Sequence, residues 1–135
     1  MANKKQAYFF NESRKTLLAS RARIADGFIS RAIGLLRHST LDDGEGMYLT
    51  RCNSIHMIGM KFAIDAVFLD KNGVIVAILE NFRPGRLSPI YFKAQSCLEL
   101  PAGKIGKTGT AVGDKVSQGF SLPEAMGLEG SGEAE

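Results

Sequence analysis

The sequence predicts an α+β fold that is mostly β: an antiparallel, partly closed sheet or small barrel, with one helix at about residues 26–37 packed on it. Three observations support this prediction. The middle of the chain alternates in hydrophobicity on either side of an Asn-Gly turn signal. One stretch, 26–36, repeats its apolar residues at helical spacing. Short β-prone runs, separated by clusters of Gly, Pro, Asn and Asp, fill most of the remainder.

The N-terminal part is predicted to form a hairpin followed by the helix. Residues 7–10 and 16–19 are short apolar runs, and the turn formers Asn-Glu-Ser lie between them. The helix should begin at Asp26, because its carboxylate can accept hydrogen bonds from the amides of the first turn. Its wide apolar stripe predicts that it lies on the sheet.

The central hairpin is the element that the sequence defines most sharply. Residues 61–69 carry apolar side chains on both faces, which indicates an inner strand. Asp70-Lys71-Asn72-Gly73 then forms the turn, and the β-branched run at 74–79 forms the return strand. Residues 47–50 are a further strand, after a polar loop at 39–46.

The C-terminal third is predicted to alternate loops and short strands. Residues 81–89 contain two prolines and a glycine and should form a loop, with strands at 90–92, 96–100 and 115–122. GKIGKTG at 103–109 lacks the residue order of a phosphate-binding loop. We expect one domain at 1–124 and a flexible acidic tail at 125–135.

Composition narrows the class of protein. The 135 residues, 44% hydrophobic and 23% charged, fit one globular domain. The net charge of +3 is modest and its basic residues are scattered, so no nucleic-acid partner is expected. Neither a signal peptide nor a stretch of ~18 apolar residues is apparent, so we expect a cytoplasmic protein without a membrane partner. Two cysteines cannot form a disulfide scaffold.

The chemically distinctive stretch is 51–70, which holds Cys52, His56 and Asp65. If the chain turns at Asn53-Ser54, the thiol and the imidazole can meet, and a Cys-His dyad oriented by Asp65 would be a nucleophile. A zinc site made by these three residues with Glu99 is an alternative on paper, but the spacing is weak for zinc and no metal is assigned.

The charge of Asp65 needs an explanation in either case. It shares a predicted strand face with apolar residues, where an unpaired carboxylate is costly. Donors could be His56, an arginine such as Arg51 or Arg31, or loop amides, and the segment around His56 is the expected one. Such a polar network could equally be structural and form one wall of a binding groove. The candidate ligand-binding residues of that groove are Asn53, Ser54, Met60 and Glu99.

Several stretches together resemble the DUF192 family. They are Arg31-Ala32-Ile33-Gly34-Leu35-Leu36, Gly46-Met47, Cys52-Asn53-Ser54-Ile55-His56 with Gly59-Met60-Lys61-Phe62 and Ile64-Asp65, Leu98-Glu99-Leu100-Pro101-Ala102-Gly103, and Val112-Gly113-Asp114. The resemblance implies a compact β-rich domain with a side helix, and the Cys-His-Asp segment as its signature. It implies no reaction.

Two classes of function stay open at this point. The first is a binding module that recognises a small molecule or a protein segment with a groove near residues 52–65. The second is an enzyme, a thiol-dependent or metal-dependent hydrolase type that uses Cys52, His56 and Asp65. The sequence assigns no cofactor to either.

Overall fold

A computed structural model describes residues 6–25 and 40–128, whose strands form one seven-stranded sheet that curls into a half-barrel. The strands lie in the order β5-β4-β6-β3-β2-β1-β7. They are β1 Gln6–Asn11, β2 Thr16–Ala25, β3 Glu45–Thr50, β4 Ile64–Leu69, β5 Ile75–Phe82, β6 Ser96–Pro101 and β7 Val116–Gly119, with the short helices α1 Lys104–Thr108 and α2 Leu122–Ala125. The predicted fold class is confirmed, whereas the helix expected at 26–37 lies outside the described residues.

Both predicted hairpins are present. β1 pairs with β2, and β4 pairs with β5, antiparallel in each case. The turn between β4 and β5 is held by Asp70, whose Oδ1 accepts the amides of Asn72 at 2.8 Å and Val74 at 3.0 Å. Gly73 completes it with a φ of 83°, a conformation that glycine adopts without steric cost.

One pair of strands departs from the predicted antiparallel sheet. β2 and β3 are parallel neighbours, and β3 pairs antiparallel with β6 on its other side. Parallel neighbours need a long crossover connection. The 19 residues between Ala25 and Glu45 provide it. The sheet is therefore mixed. The parallel pairing depends on the long connection between β2 and β3, which the hydrophobic patterns of the individual strands do not reveal.

The curled sheet is partly closed by a short ladder between the start of β5 and the chain before β7. Ile75 donates to the carbonyl of Asp114 at 2.9 Å and accepts from Gly113 at 2.8 Å, and Val116 donates to Gly73 at 2.8 Å. Because β7 also pairs with β1, this ladder links the two edges of the sheet. The predicted partly closed sheet is thus present, in the form of a half-barrel.

Buried side chains lie on both sides of the sheet. The interior cluster draws from six strands and α1, while Tyr48 of β3 packs against it; it comprises Ala7, Phe9, Leu18, Ala19, Ala22, Val67, Leu69, Ile75, Leu98, Leu100, Ile105 and Val116. The outer cluster includes Met47, Leu49, Ile55, Met57, Ile64, Ala66, Phe68, Ala77, Ala94 and Cys97. β4 is buried on both faces, as predicted for an inner strand.

A buried polar cluster ties the first hairpin to the loop before β7. Asp114 Oδ2 accepts hydrogen bonds from Asn11 Nδ2 at 3.0 Å, Arg14 Nε at 2.9 Å and the amide of Ala111 at 2.9 Å. Burial raises the pKa of Asp114, but these donors outweigh it, so the pKa lies below its ordinary value of 3.8. The carboxylate therefore stabilises the fold in its charged form.

The C-terminal part differs from the prediction in two places. Residues 90–92 are not a strand, and the last strand is limited to Val116–Gly119. The stretch at 103–109, for which no element was predicted, contains α1. After it, Ser121 caps α2 by accepting the amide of Glu124 at 3.2 Å, and Ala125 is buried. Residues 129–135 of the predicted tail lie outside the described residues.

Candidate functional site

The segment that carries Cys52 and His56 runs antiparallel to the loop between β5 and β6. We call residues 51–62 together with 83–95 the ribbon. Its backbone hydrogen bonds are Tyr91 to Asn53 at 2.8 Å, Ser88 to Ile55 at 2.9 Å, Met57 to Arg86 at 2.7 Å and Gly85 to Met57 at 2.8 Å. Pro84 and Pro89 have no amide hydrogen, which explains why the pairing is irregular.

The inner side of the ribbon is fixed in the outer cluster. Ile55, Met57 and Ala94 are buried there. The Tyr91 ring packs on Phe68 of β4, with 4.6 Å between ring centroids. A second tie comes from Ser88, whose hydroxyl accepts the amide of Ile55 at 2.8 Å. The ribbon is therefore held by core contacts on one side and presents its other side to solvent.

Cys52 lies at the start of the ribbon beside a small open pocket. The pocket has a volume of about 210 Å³ and is lined by Arg51, Cys52, Asn53, Ala94 and Gln95. The Cys52 Sγ donates to the carbonyl of Ser54 at 3.1 Å, and the backbone amide of Cys52 donates to the carbonyl of Gln95 at 3.0 Å. The thiol proton is thus used in a hydrogen bond, which a thiolate nucleophile would have to give up.

His56 lies further along the ribbon, half-buried, in an isolated antiparallel bridge with Leu87. The backbone on both sides of His56 is hydrogen-bonded to the loop between β5 and β6, through Asn53 and Ile55 before it and through Met57 after it. The segment therefore runs alongside that loop past His56. The Cys52–His56 dyad stays a prediction.

Asp65 is fully buried on the interior face of the sheet, opposite Leu100 of β6. Its Oδ1 accepts the amide of Asn81 at 2.8 Å, and its Oδ2 accepts those of Gly103 at 3.0 Å and Ile105 at 2.8 Å. Gly103 is the N-cap of α1 and makes no side-chain cap bond, so Asp65 performs that role from a neighbouring strand.

Backbone amides at the end of β5 and the start of α1 are thus the donors that compensate the charge of Asp65. The expectation that the His56 segment supplies the donor is wrong, and Arg51 is not among the donors either. Arg31, the other arginine considered, lies outside the described residues. The reason is topological: the sheet separates Asp65 from Ile55 and Met57, the neighbours of His56, which pack in the outer cluster. Whether Asp65 has any part in catalysis stays a prediction, but it does not orient His56 by a direct hydrogen bond.

Glu99 lies on the other face from Asp65. It is fully buried on β6, between Met47 of β3 and Ala66 of β4, and shares the face of Cys97. In the part of the chain that the structure describes, no three His, Cys, Asp or Glu side chains are grouped as a metal site would require. The zinc alternative therefore gains no support from the geometry.

The remaining candidates and some unpredicted residues lie on the ribbon itself. Asn53 and Ser54 contribute carbonyl acceptors, and Met60 is half-buried against the outer cluster. The sequence reasoning missed the exposed apolar side chains, which are Ile58 at 61%, Leu87 at 68%, Ile90 at 55% and Phe92 at 84% exposure. For Ile90 its place next to Pro89 was an available signal, but composition does not separate such residues from core residues. No helix within residues 6–25 and 40–128 is both long and apolar enough to cross a membrane.

Comparison with known proteins gives a consistent result. The family model DUF192, described as an uncharacterized ACR, matches residues 9–118. A UPF0127 protein of Thermococcus sibiricus is 32% identical over 110 residues, covering 78% of this chain and 71% of its own. A UPF0127 protein of Pyrococcus abyssi is 32% identical over 112 residues, covering 78% and 92%.

Two crystal structures share the fold. A protein of unknown function from Novosphingobium aromaticivorans has a TM-score of 0.71 at 23% identity, covering 83% of both chains. A protein from Sinorhizobium meliloti also has a TM-score of 0.71, at 21% identity, covering 85% of this chain and 93% of its own.

Proposed function

The chain belongs to the DUF192 family, whose function is uncharacterised, and we propose that it is a binding module that recognises a protein segment with the ribbon. The observation that carries the proposal is the exposure of Ile58, Leu87, Ile90 and Phe92 on one irregular ribbon. Single exposed apolar residues are common on protein surfaces, but several on one element are typical of interaction sites.

The rigidity of the ribbon supports this proposal. Phe92 lies in a turn closed by the bond from Ala94 to Tyr91 at 2.8 Å, and Ile58 lies in a turn closed by the bond from Met60 to Met57 at 3.1 Å. Because both turns adjoin buried residues, the backbone that carries Ile58 and Phe92 is fixed before a partner arrives. Such preorganisation lowers the entropic cost of binding.

The small-molecule alternative would use the pocket beside Cys52. Its volume of about 210 Å³ is below the ~300 Å³ at which pockets for drug-sized ligands begin. A single side chain of a bound segment suits this volume better than a complete metabolite. The enzyme alternative would need a reactive Cys52, whereas the thiol donates to Ser54.

Peptide selection tests the proposal directly. A phage library of random peptides of about 12 residues is selected on the immobilised full chain, and the enriched peptides are titrated against Leu87→Ser/Phe92→Ser. Loss of two apolar anchors that the bound peptide would cover should weaken binding at least about tenfold. The matched control, Val112→Ser/Phe120→Ser, alters side chains of similar exposure away from the ribbon and should leave affinity within about twofold.

Thermal melts establish that both double variants fold. A selection that enriches no peptide contradicts the proposal. Enriched peptides that bind the Leu87→Ser/Phe92→Ser variant as tightly as the wild type contradict it as well.

A further inference from the structure

We infer that the segment bound by the ribbon is acidic as well as apolar, with Asp or Glu side chains beside aliphatic or aromatic ones. This inference rests on the proposed function and names the chemistry of the partner. It comes from the distribution of charge on the ribbon, from the order of charged and apolar side chains along it, and from the pocket at one end.

The charged residues of the ribbon are all of one sign. Residues 51–62 and 83–95 contain none of the 14 acidic residues and five of the 17 basic ones. The five are Arg51, Lys61, Arg83, Arg86 and Lys93, all of them exposed. The remaining sequence therefore carries more acidic than basic residues. A surface of one sign selects partners of the opposite sign and speeds their encounter.

Cations and apolar side chains are neighbours along the ribbon. Arg86 precedes Leu87 in the loop, and Lys93 follows Phe92 in the turn at 91–94. A partner that covers Leu87 and Phe92 therefore passes both cations. Carboxylates at those positions would form exposed ion pairs around an apolar contact.

The pocket beside Cys52 suits a carboxylate side chain. The pocket of about 210 Å³ is lined by Arg51, Asn53 and Gln95, residues whose side chains carry a guanidinium and two amide groups. Guanidinium and amide donors are the groups that bind carboxylates in proteins. The pocket adjoins the turn that carries Phe92, so an acidic residue placed there would lie next to an apolar one.

The spread of the apolar residues favours an extended protein segment over a membrane surface. Ile58 lies at one end of the paired region and Phe92 at the other. Five residue positions separate Ile58 from Asn53, the partner of Tyr91, which is roughly 16 Å in an extended chain. A peptide of about six residues spans this length, whereas insertion into lipid favours a single protruding tip.

Two defined probes test the inference. The first is the tightest peptide from the selection on the full chain, and the second is the same peptide with every Asp changed to Asn and every Glu to Gln. The wild type should bind the neutral peptide at least about tenfold more weakly. Affinity for the acidic peptide should also fall as salt is raised.

Charge reversal on the protein gives the matched comparison. Arg86→Glu/Lys93→Glu should weaken the acidic peptide at least about tenfold. Lys71→Glu/Lys115→Glu makes the same change in net charge at exposed positions away from the ribbon, and binding should stay within about threefold.

Each other outcome overturns the inference. Equal affinity for the acidic and neutral peptides, with loss of both in Leu87→Ser/Phe92→Ser, leaves the proposed function intact but refutes an acidic partner. Phe92-dependent binding to vesicles with about 30% phosphatidylserine, without peptide binding, assigns the surface to anionic lipid. A wild-type dimer in analytical ultracentrifugation that Arg86→Glu/Lys93→Glu dissociates assigns it to a second copy of the chain.

Discussion

Replacing Asp65 by alanine should be one of the most damaging single substitutions in the chain. The carboxylate is fully buried and accepts three backbone amides, at 2.8, 3.0 and 2.8 Å. Those amides belong to the end of β5 and the beginning of α1, so one side chain fastens two separate elements to β4. Alanine keeps the backbone of the strand and removes every acceptor.

The size of the effect follows from where the three amides lie. The Ile105 amide is buried, and leaving it unsatisfied costs about 2 kcal/mol. Asn81 and Gly103 are exposed residues whose amides can reach water, so each loss costs about 1 kcal/mol. We therefore expect Asp65→Ala to lower the free energy of unfolding by about 4 kcal/mol, a large part of the ~5–15 kcal/mol of a typical domain.

Urea titration and thermal unfolding measure this loss. With an unfolding entropy of about 2 cal/mol/K per residue, 4 kcal/mol corresponds to a fall in Tm of about 14 °C. Asp65→Asn keeps one oxygen acceptor and should lose about half as much. Lys71→Ala and Asp42→Ala alter exposed side chains and should stay within about 0.5 kcal/mol of the wild type.

A Tm for Asp65→Ala within about 3 °C of that of Lys71→Ala would refute the reasoning. It would mean that the three amides find other partners at no cost.

Three further measurements test other parts of the structure. Because the pKa of Asp114 is lowered, its stabilisation is complete above pH 3.8 and is lost as the pH falls through the folded-state pKa. The difference in unfolding free energy between wild type and Asp114→Asn, from urea titrations, should therefore be constant above about pH 5 and shrink below pH 4; a difference that grows on acidification contradicts this. Gly73→Ala should lower the unfolding free energy by at least about 1 kcal/mol more than Gly85→Ala, since the two glycines have φ of 83° and 84° but only at Gly73 would a Cβ lie 2.6 Å from a backbone oxygen of β7. Iodoacetamide should modify Cys52 at the rate of an ordinary thiol and Cys97, which is fully buried, only on unfolding; rapid labelling of Cys52 below about pH 6 would instead support the enzyme alternative.

Local patterns were sufficient to predict the fold class and the hairpins. The β4–β5 hairpin is encoded within about 20 consecutive residues, because an alternating run, a glycine turn and a β-branched run follow one another. The need for a donor to Asp65 was also predictable, since an apolar strand face makes an unpaired carboxylate costly. The identity of that donor was not, because Gly103 and Ile105 are 38 and 40 residues away and offer only backbone amides.

The candidate site was less predictable than the fold for a related reason. Cys52, His56 and Asp65 are close in sequence, yet a strand that is buried on both faces places Asp65 on the side away from the ribbon. The partner of the Cys52 segment is a loop some 30 residues later, and its irregular pairing has no period to detect. Ile58 and Met57 are similar apolar neighbours, although one is exposed and the other buried.

The placement of β1 between β2 and β7 has a consequence for how the molecule is made. A ribosome has already released six strands before the one that covers the outer edge of β1 emerges. The edge of β1 that pairs with β7 therefore stays uncovered until β7 has been synthesised. Pairings between such distant parts of a sequence form slowly, and an uncovered strand edge is a site where other polypeptides can pair until β7 is in place.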